Sequence, residues 1–135
     1  MALDIQQRER EGVTLLDMKG RITAGPEASA LREKVAALNA AGTRKLVFNL
    51  GGVDYIDSTG LGALVMSVTS LRKSGGNVKL LHLTRRHIEL LVMTKLATIF
   101  EIFNDEQDAV NSYYPDRKLK TFDILDFVQQ MKKEE

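Results

Sequence analysis

The groups able to do chemistry gather in one segment, Asp54-Tyr55-Ile56-Asp57-Ser58-Thr59-Gly60-Leu61-Gly62. It offers two carboxylates, two adjacent hydroxyls and two glycines just before an apolar run. Asp, Ser and Thr are preferred helix N-caps, because their oxygens accept the free N–H groups of the first turn. Capping by itself accounts for the residue types. A second reading makes the segment a switch. Gly60 and Gly62 fall in the first turn, where each costs the helix about 1 kcal/mol. Small residues there leave the surface open to a partner or a phosphate. A helix N-terminus also favours an anion, since its free N–H groups and its dipole point outwards. A phosphate on Ser58 would add about −1.5 to −2 charge close to Asp54 and Asp57. The surface would turn strongly acidic with little refolding, which is a binding switch by electrostatics and bulk.

Other chemistry finds less support. The chain has no cysteine, which removes disulfides, thiolate zinc sites and cysteine nucleophiles. His82 alternates with Leu81 and Leu83, which reads as a strand position. His87 follows Arg85 and Arg86 on the polar side of a helix start. Neither has a nucleophile beside it, so the expectation is a protein that is not an enzyme and has no catalytic residues. Gly60-Leu61-Gly62 lacks the third glycine of a dinucleotide fingerprint, and no Gly-x-x-x-x-Gly-Lys motif occurs. Asp54 and Asp57 have no further ligand set, so neither a metal nor a cofactor is expected. Nineteen Lys and Arg against eighteen Asp and Glu give a net charge of +1, too balanced for a broad nucleic-acid or anionic-membrane surface. The first residues lack the pattern of a signal peptide. No apolar run approaches the ~18 residues of a spanning helix. The expected location is the cytoplasm.

The elements that must position this segment alternate along the chain. Hydrophobic residues make up 44% and charged residues 27% of the 135, a normal globular mix. Leu3 to Arg8 and Val13 to Lys19 read as a strand pair around Gly12. Residues 20–25 read as a connector. Pro26 suits the first position of a helix, in which Leu31, Val35 and Leu38 mark one apolar face, and Gly42 ends it. Lys45 to Leu50 reads as a buried central strand. The helix from about Ser58 to Lys73 carries Leu61, Leu64, Val65, Val68 and Leu71 inward and stops at Gly75-Gly76. Val78 to Leu83 is a further strand. Thr84 can cap a helix reaching about Thr94. Ile99 to Phe103 is a short last strand, and Asp105 to Tyr113 a last helix of the domain. This order predicts an α/β fold with right-handed crossovers and a mixed central sheet, its helices mainly on one side. The predicted division is a domain over 1–114 and a C-terminal helical extension over 115–135. In the extension, Leu125, Val128 and Met131 recur every three residues between Thr121 and Lys132. That helix either packs on its own domain or docks a partner.

The nine-residue segment resembles the signature of the STAS domain family, named for sulfate transporters and anti-sigma factor antagonists. Lys45 to Leu50 resembles the strand before the signature, Gly20-Arg21-Ile22-Thr23 the early turn, and Leu96 to Phe103 with Asp105, Glu106 and Ala109 the closing segment. The resemblance covers roughly residues 3 to 114. It implies an anti-sigma factor antagonist that binds an ATP-dependent anti-sigma serine kinase and so frees a sigma factor. The kinase phosphorylates the antagonist and a metal-dependent serine phosphatase reverses this. The acceptor it implies is Ser58, with Thr59 the less favoured neighbour. The implied partner surface is Arg21, Thr23, Asp54, Asp57, Ser58, Thr59, Gly60, Leu61 and Gly62. A weak homodimer is compatible with it. Two departures stand out. Arg21 and Thr23 occupy positions where many antagonists are acidic, and Lys95 stands where the family often has glycine. The alternative is a STAS scaffold of a sensory assembly, or an accessory subunit of a membrane transporter.

Overall fold

The computed structural model describes residues 2–117, together with 128 and 129. Strand β1 (Leu3–Arg10) turns through Glu11 and Gly12 into β2 (Val13–Ile22). Three crossovers follow: helix α1 (Pro26–Ala40) to β3 (Lys45–Ile56), α2 (Ser58–Lys73) to β4 (Asn77–Leu81), and α3 (Arg85–Met93) to β5 (Ile102–Phe103). Helix α4 (Glu106–Asn111) closes the order. The five strands lie in the order β1-β2-β3-β4-β5; β1 is antiparallel to β2 and every later pair is parallel. This is the mixed α/β sheet that the element order predicts.

Side chains alternate across a strand, so the sheet has two faces and two cores. Leu16, Met18, Leu46, Phe48, Leu50 and Leu80 face α1, α2 and α3, which supply Leu31, Val35, Leu64, Val68, Leu71 and Leu91. The opposite face buries Val13, Leu15, Val47, Leu81 and Phe103 under Ala109 and Val110 of α4. The helices are therefore mainly, not wholly, on one side.

Several boundaries differ from the sequence expectation. Strand β2 does not end at Lys19. Gly20 reads as a breaker, yet Arg21 and Ile22 continue the ladder opposite Tyr55 and Ile56, and two register shifts absorb the irregularity. Strand β3 likewise runs through Gly51-Gly52 to Ile56, so the signature begins on a strand and not in a loop. A Cβ at Gly52 would stand 2.8 Å from the Met18 carbonyl oxygen, so this glycine permits close strand approach. Strand β4 stops at Leu81, and His82 leaves it with φ of 58°. Strand β5 begins at Ile102, three residues late, and α4 is shorter than expected, with Asp105 as its N-cap. Lys95 adopts φ of 61°, the left-handed turn that a glycine would take more easily. The expected helix between Thr121 and Lys132 falls outside the described residues, apart from Val128 and Gln129. No helix among the described residues is long and apolar enough to cross a membrane.

Candidate functional site

The last residues of β2 and β3 lie side by side, and this pairing assembles the site. Asp57 follows β3 in extended conformation, and α2 starts on the next residue. Its carboxylate is held at both oxygens. Oδ1 accepts the Gly60 N–H at 2.7 Å, which caps α2, and Oδ2 accepts the Ala24 N–H at 2.9 Å. The Asp57 N–H donates to the Ile22 carbonyl at 3.3 Å. One carboxylate thus ties the β2–α1 connection to the start of α2. The Ala24 and Gly60 N–H groups, in that order of effect, hold the Asp57 carboxyl below the usual carboxylate range.

Ser58 is the first residue of α2, and it is exposed. Thr59 beside it is half-buried. Gly62, one turn on, has nothing within 4 Å of where a Cβ would stand, so the surface next to Ser58 is open, as the sequence suggests. Gly60 differs. It is buried, and a Cβ there would lie 1.9 Å from the Ile22 carbonyl oxygen. Its smallness serves the packing of α2 onto β2 and not access. Leu61 is also buried and anchors the helix in the core.

The other predicted surface residues fall around this point. Arg21 is exposed and stands in register with Tyr55, itself 49% exposed. Thr23 is half-buried, and its carbonyl accepts the Ala28 N–H at 3.0 Å in the first turn of α1. Asp54 is exposed on β3. The pairing of β2 with β3 therefore gathers Arg21, Tyr55, Asp57 and Ser58 at one end of the sheet. Among the described residues no group of three or more His, Asp and Glu is placed to hold a metal.

His87 has a place that sequence reasoning missed. It is buried, not on the polar side of α3. Its Nδ1 accepts the Thr84 N–H at 3.1 Å, while the Thr84 hydroxyl accepts the His87 N–H at 3.2 Å. This is a capping box with histidine in the place of the usual Glu or Gln. Its Nε2 lies 2.8 Å from the Val53 carbonyl, so the ring joins α3 to the signature strand. Burial pushes the imidazole below its ordinary value, partly offset by the bond to Val53. The Thr84 to His87 spacing was the available signal.

The chain is 34% identical over 102 residues to the anti-sigma-B factor antagonist of Bacillus subtilis, a match covering 76% of this chain and 92% of that protein. An anti-sigma factor antagonist from Mycobacterium paratuberculosis superimposes with a TM-score of 0.70 at 22% identity, covering 82% of this chain and 92% of that one. The unphosphorylated form of the anti-sigma factor antagonist SpoIIAA, of Bacillus, superimposes with a TM-score of 0.65 at 16% identity, covering 83% and 99%. At these identities the two structures speak for the fold. The STAS domain family model matches residues 4–109, and the chain belongs to the STAS domain family.

Proposed function

We propose that the protein is an anti-sigma factor antagonist whose binding to an ATP-dependent anti-sigma serine kinase is switched off by phosphorylation of Ser58. The observation that carries this reading is the exposed Ser58 hydroxyl at the N-terminus of α2, beside an Asp57 carboxylate already committed to two backbone N–H groups. The serine can receive a phosphate without disturbing a packed contact. Asp57 cannot move away without uncapping the helix, so the new charge adds to one already fixed there.

In this role the protein is substrate and ligand. The kinase supplies ATP and catalysis, and a metal-dependent phosphatase restores the free serine, both in the cytoplasm. Partner contact falls on Arg21, Thr23, Asp54, Ser58, Thr59 and Gly62. Asp57, Gly60 and Leu61 hold that surface from beneath. Residues 1–114 form the switching domain and 115–135 an appended segment. The relative from Bacillus subtilis, named as an anti-sigma-B factor antagonist, supports the class. SpoIIAA is a relative in fold whose structure is known in a phosphorylated form.

The test is a pull-down from the native cell with intact-mass analysis. The expected result is recovery of an ATP-binding kinase and an ATP-dependent gain of one phosphate that Ser58→Ala abolishes and Thr59→Ala retains. Ser58→Asp should bind that kinase at least about tenfold more weakly, a difference of about 1.4 kcal/mol. Equal binding by Ser58→Asp would remove the charge mechanism. Transporter or scaffold subunits recovered without phosphate gain would leave the fold and discard the switch.

A further inference from the structure

Tyr55 is unlike the other aromatic side chains of the fold. Phe48, Phe100 and Phe103 are buried. The hydroxyls of Tyr113 and Tyr114 each donate to a backbone carbonyl. Tyr55 is 49% exposed, and among the described residues its hydroxyl has no partner. An aromatic ring left in water inside the signature serves neither of the two cores.

The strand register shows where the ring points. The ladder steps from Gly20–Val53 to Arg21–Tyr55 and then to Ile22–Ile56, so Asp54 is an extra residue on β3, a bulge that re-aims its neighbour. Ile22 and Ile56 enter the core under the helices. Side chains alternate along a strand, so Arg21 and Tyr55 leave the sheet together on the opposite face. Helix α4 packs on that face nearer the start of β2, at Val13 and Leu15. Arg21 is exposed, and its guanidinium has no partner among the described residues. A half-exposed tyrosine and an unpaired arginine thus stand side by side at the end of the sheet that carries Ser58. Tyr and Arg are the residues that most often dominate the energy of a protein interface.

We propose that Tyr55 and Arg21 are the energetic centre of the kinase-docking surface, the ring entering an apolar pocket on the kinase and the guanidinium pairing with a carboxylate at the rim of that pocket. This rests on the reading of the protein as a kinase-binding antagonist. A partner seated over the end of the sheet meets Ser58 on one side and the Tyr55–Arg21 pair on the other. The chemistry also gives the switch its sign. A kinase that brings a carboxylate to Arg21 meets a phosphate on Ser58 as a like charge at the same end of the sheet.

The test is calorimetric binding of the kinase recovered from the native cell, with every variant built on Ser58→Ala so that no phosphate contributes and each fold checked by circular dichroism. Tyr55→Ala should weaken binding by at least about thirtyfold, or about 2 kcal/mol, and Tyr55→Phe should recover most of that loss. Arg21→Gln should weaken it about tenfold and flatten its dependence on ionic strength, and Arg21→Glu should weaken it further. Lys73→Gln, which removes the same charge at the far end of α2, should stay within about twofold. A kinase that Tyr55→Ala and Arg21→Gln bind as tightly as Ser58→Ala alone overturns the inference and leaves the switch standing. So does tighter binding by Arg21→Glu, which would give the kinase a basic rim. Loss of binding in Tyr55→Ala, with Ser58→Asp binding as well as the parent, would keep the docking surface and discard the charge switch. Recovery of no kinase at all removes the underlying reading and this inference with it.

Discussion

Gly60 and Gly62 stand two residues apart on α2 and meet opposite demands. In the sequence they are alike, and both suggest an open surface. The structure separates them, because the atom that forbids a side chain at Gly60 is the Ile22 carbonyl oxygen on β2. Nothing local to the signature reveals that contact. Gly60→Ala forces backbone against backbone and should destabilise by at least about 3 kcal/mol, the upper end for overpacking. Gly62→Ala meets open space and replaces a poor helix former by the best one, so it should stabilise by up to about 1 kcal/mol. Urea denaturation of the two variants checks both signs. Gly62→Ala should also bind the partner more weakly, since its methyl projects beside Ser58. An N-cap among Asp57, Ser58 and Thr59 was legible from residue type, and Asp57 takes that place. Its second bond, to Ala24, was not, because it depends on β2 and β3 ending together.

At the scale of the element, the sequence located nearly every helix and strand and misjudged where strands stop. The reason is consistent. Gly20 and Gly51-Gly52 are punctuation in a lone segment, but within a parallel sheet the neighbouring strand keeps the backbone extended. Pairing from a distant segment overrides local preference. Helix α3 shows a related limit, for its start was read correctly while the role of His87 was not. The neutral imidazole accepts from Thr84 through Nδ1 and therefore donates to Val53 through Nε2. Arg86 opposes protonation and Asp54 favours it, but burial is the largest influence and lowers the basicity. A histidine with a depressed value binds fewer protons when folded than when unfolded. Its contribution to stability is complete above the unfolded value of about 6.5 and is lost as pH falls from there towards the folded value. The urea midpoint should therefore drop between pH 7.5 and 5.5. His87→Leu should be less stable at pH 7.5 by about 1–3 kcal/mol, the cost of leaving the Thr84 N–H and Val53 carbonyl unpaired. It should also lose most of that pH slope. An unchanged slope would show that another group carries the titration.

Taken as a whole molecule, the protein divides its labour between the two faces of the sheet. One core holds α2, and thus Ser58, while the other is sealed by α4 at the ends of β3 and β4. That seal is polar as well as apolar. The Tyr113 hydroxyl lies 2.6 Å from the Leu46 carbonyl, 2.8 Å from the Asn77 carbonyl and 3.1 Å from the Leu46 N–H, so it stitches two strands together. Burial raises this phenol well above its usual range. Buried Lys79 donates to the Ser112 carbonyl at the end of α4, with its ammonium over the Tyr113 ring. Glu106 accepts from both Arg8 and Arg10 of β1, which holds its carboxyl at about 2. None of this was readable from spacing, since each bond joins α4, or the residues just after it, to a strand far back in the chain. The division has a consequence. Tyr113→Phe removes a buried hydroxyl and should cost about 1–3 kcal/mol. Amide exchange should quicken at Leu46 and along α4, while Gly60 and Leu61 keep their protection. Partner binding through Ser58 should stay within about twofold of the parent, a difference of about 0.4 kcal/mol, because no atom of Tyr113 reaches that end of the sheet. If Tyr113→Phe weakened binding in proportion to its loss of stability, the two faces would be one cooperative unit, and the seal at α4 would belong to the switch.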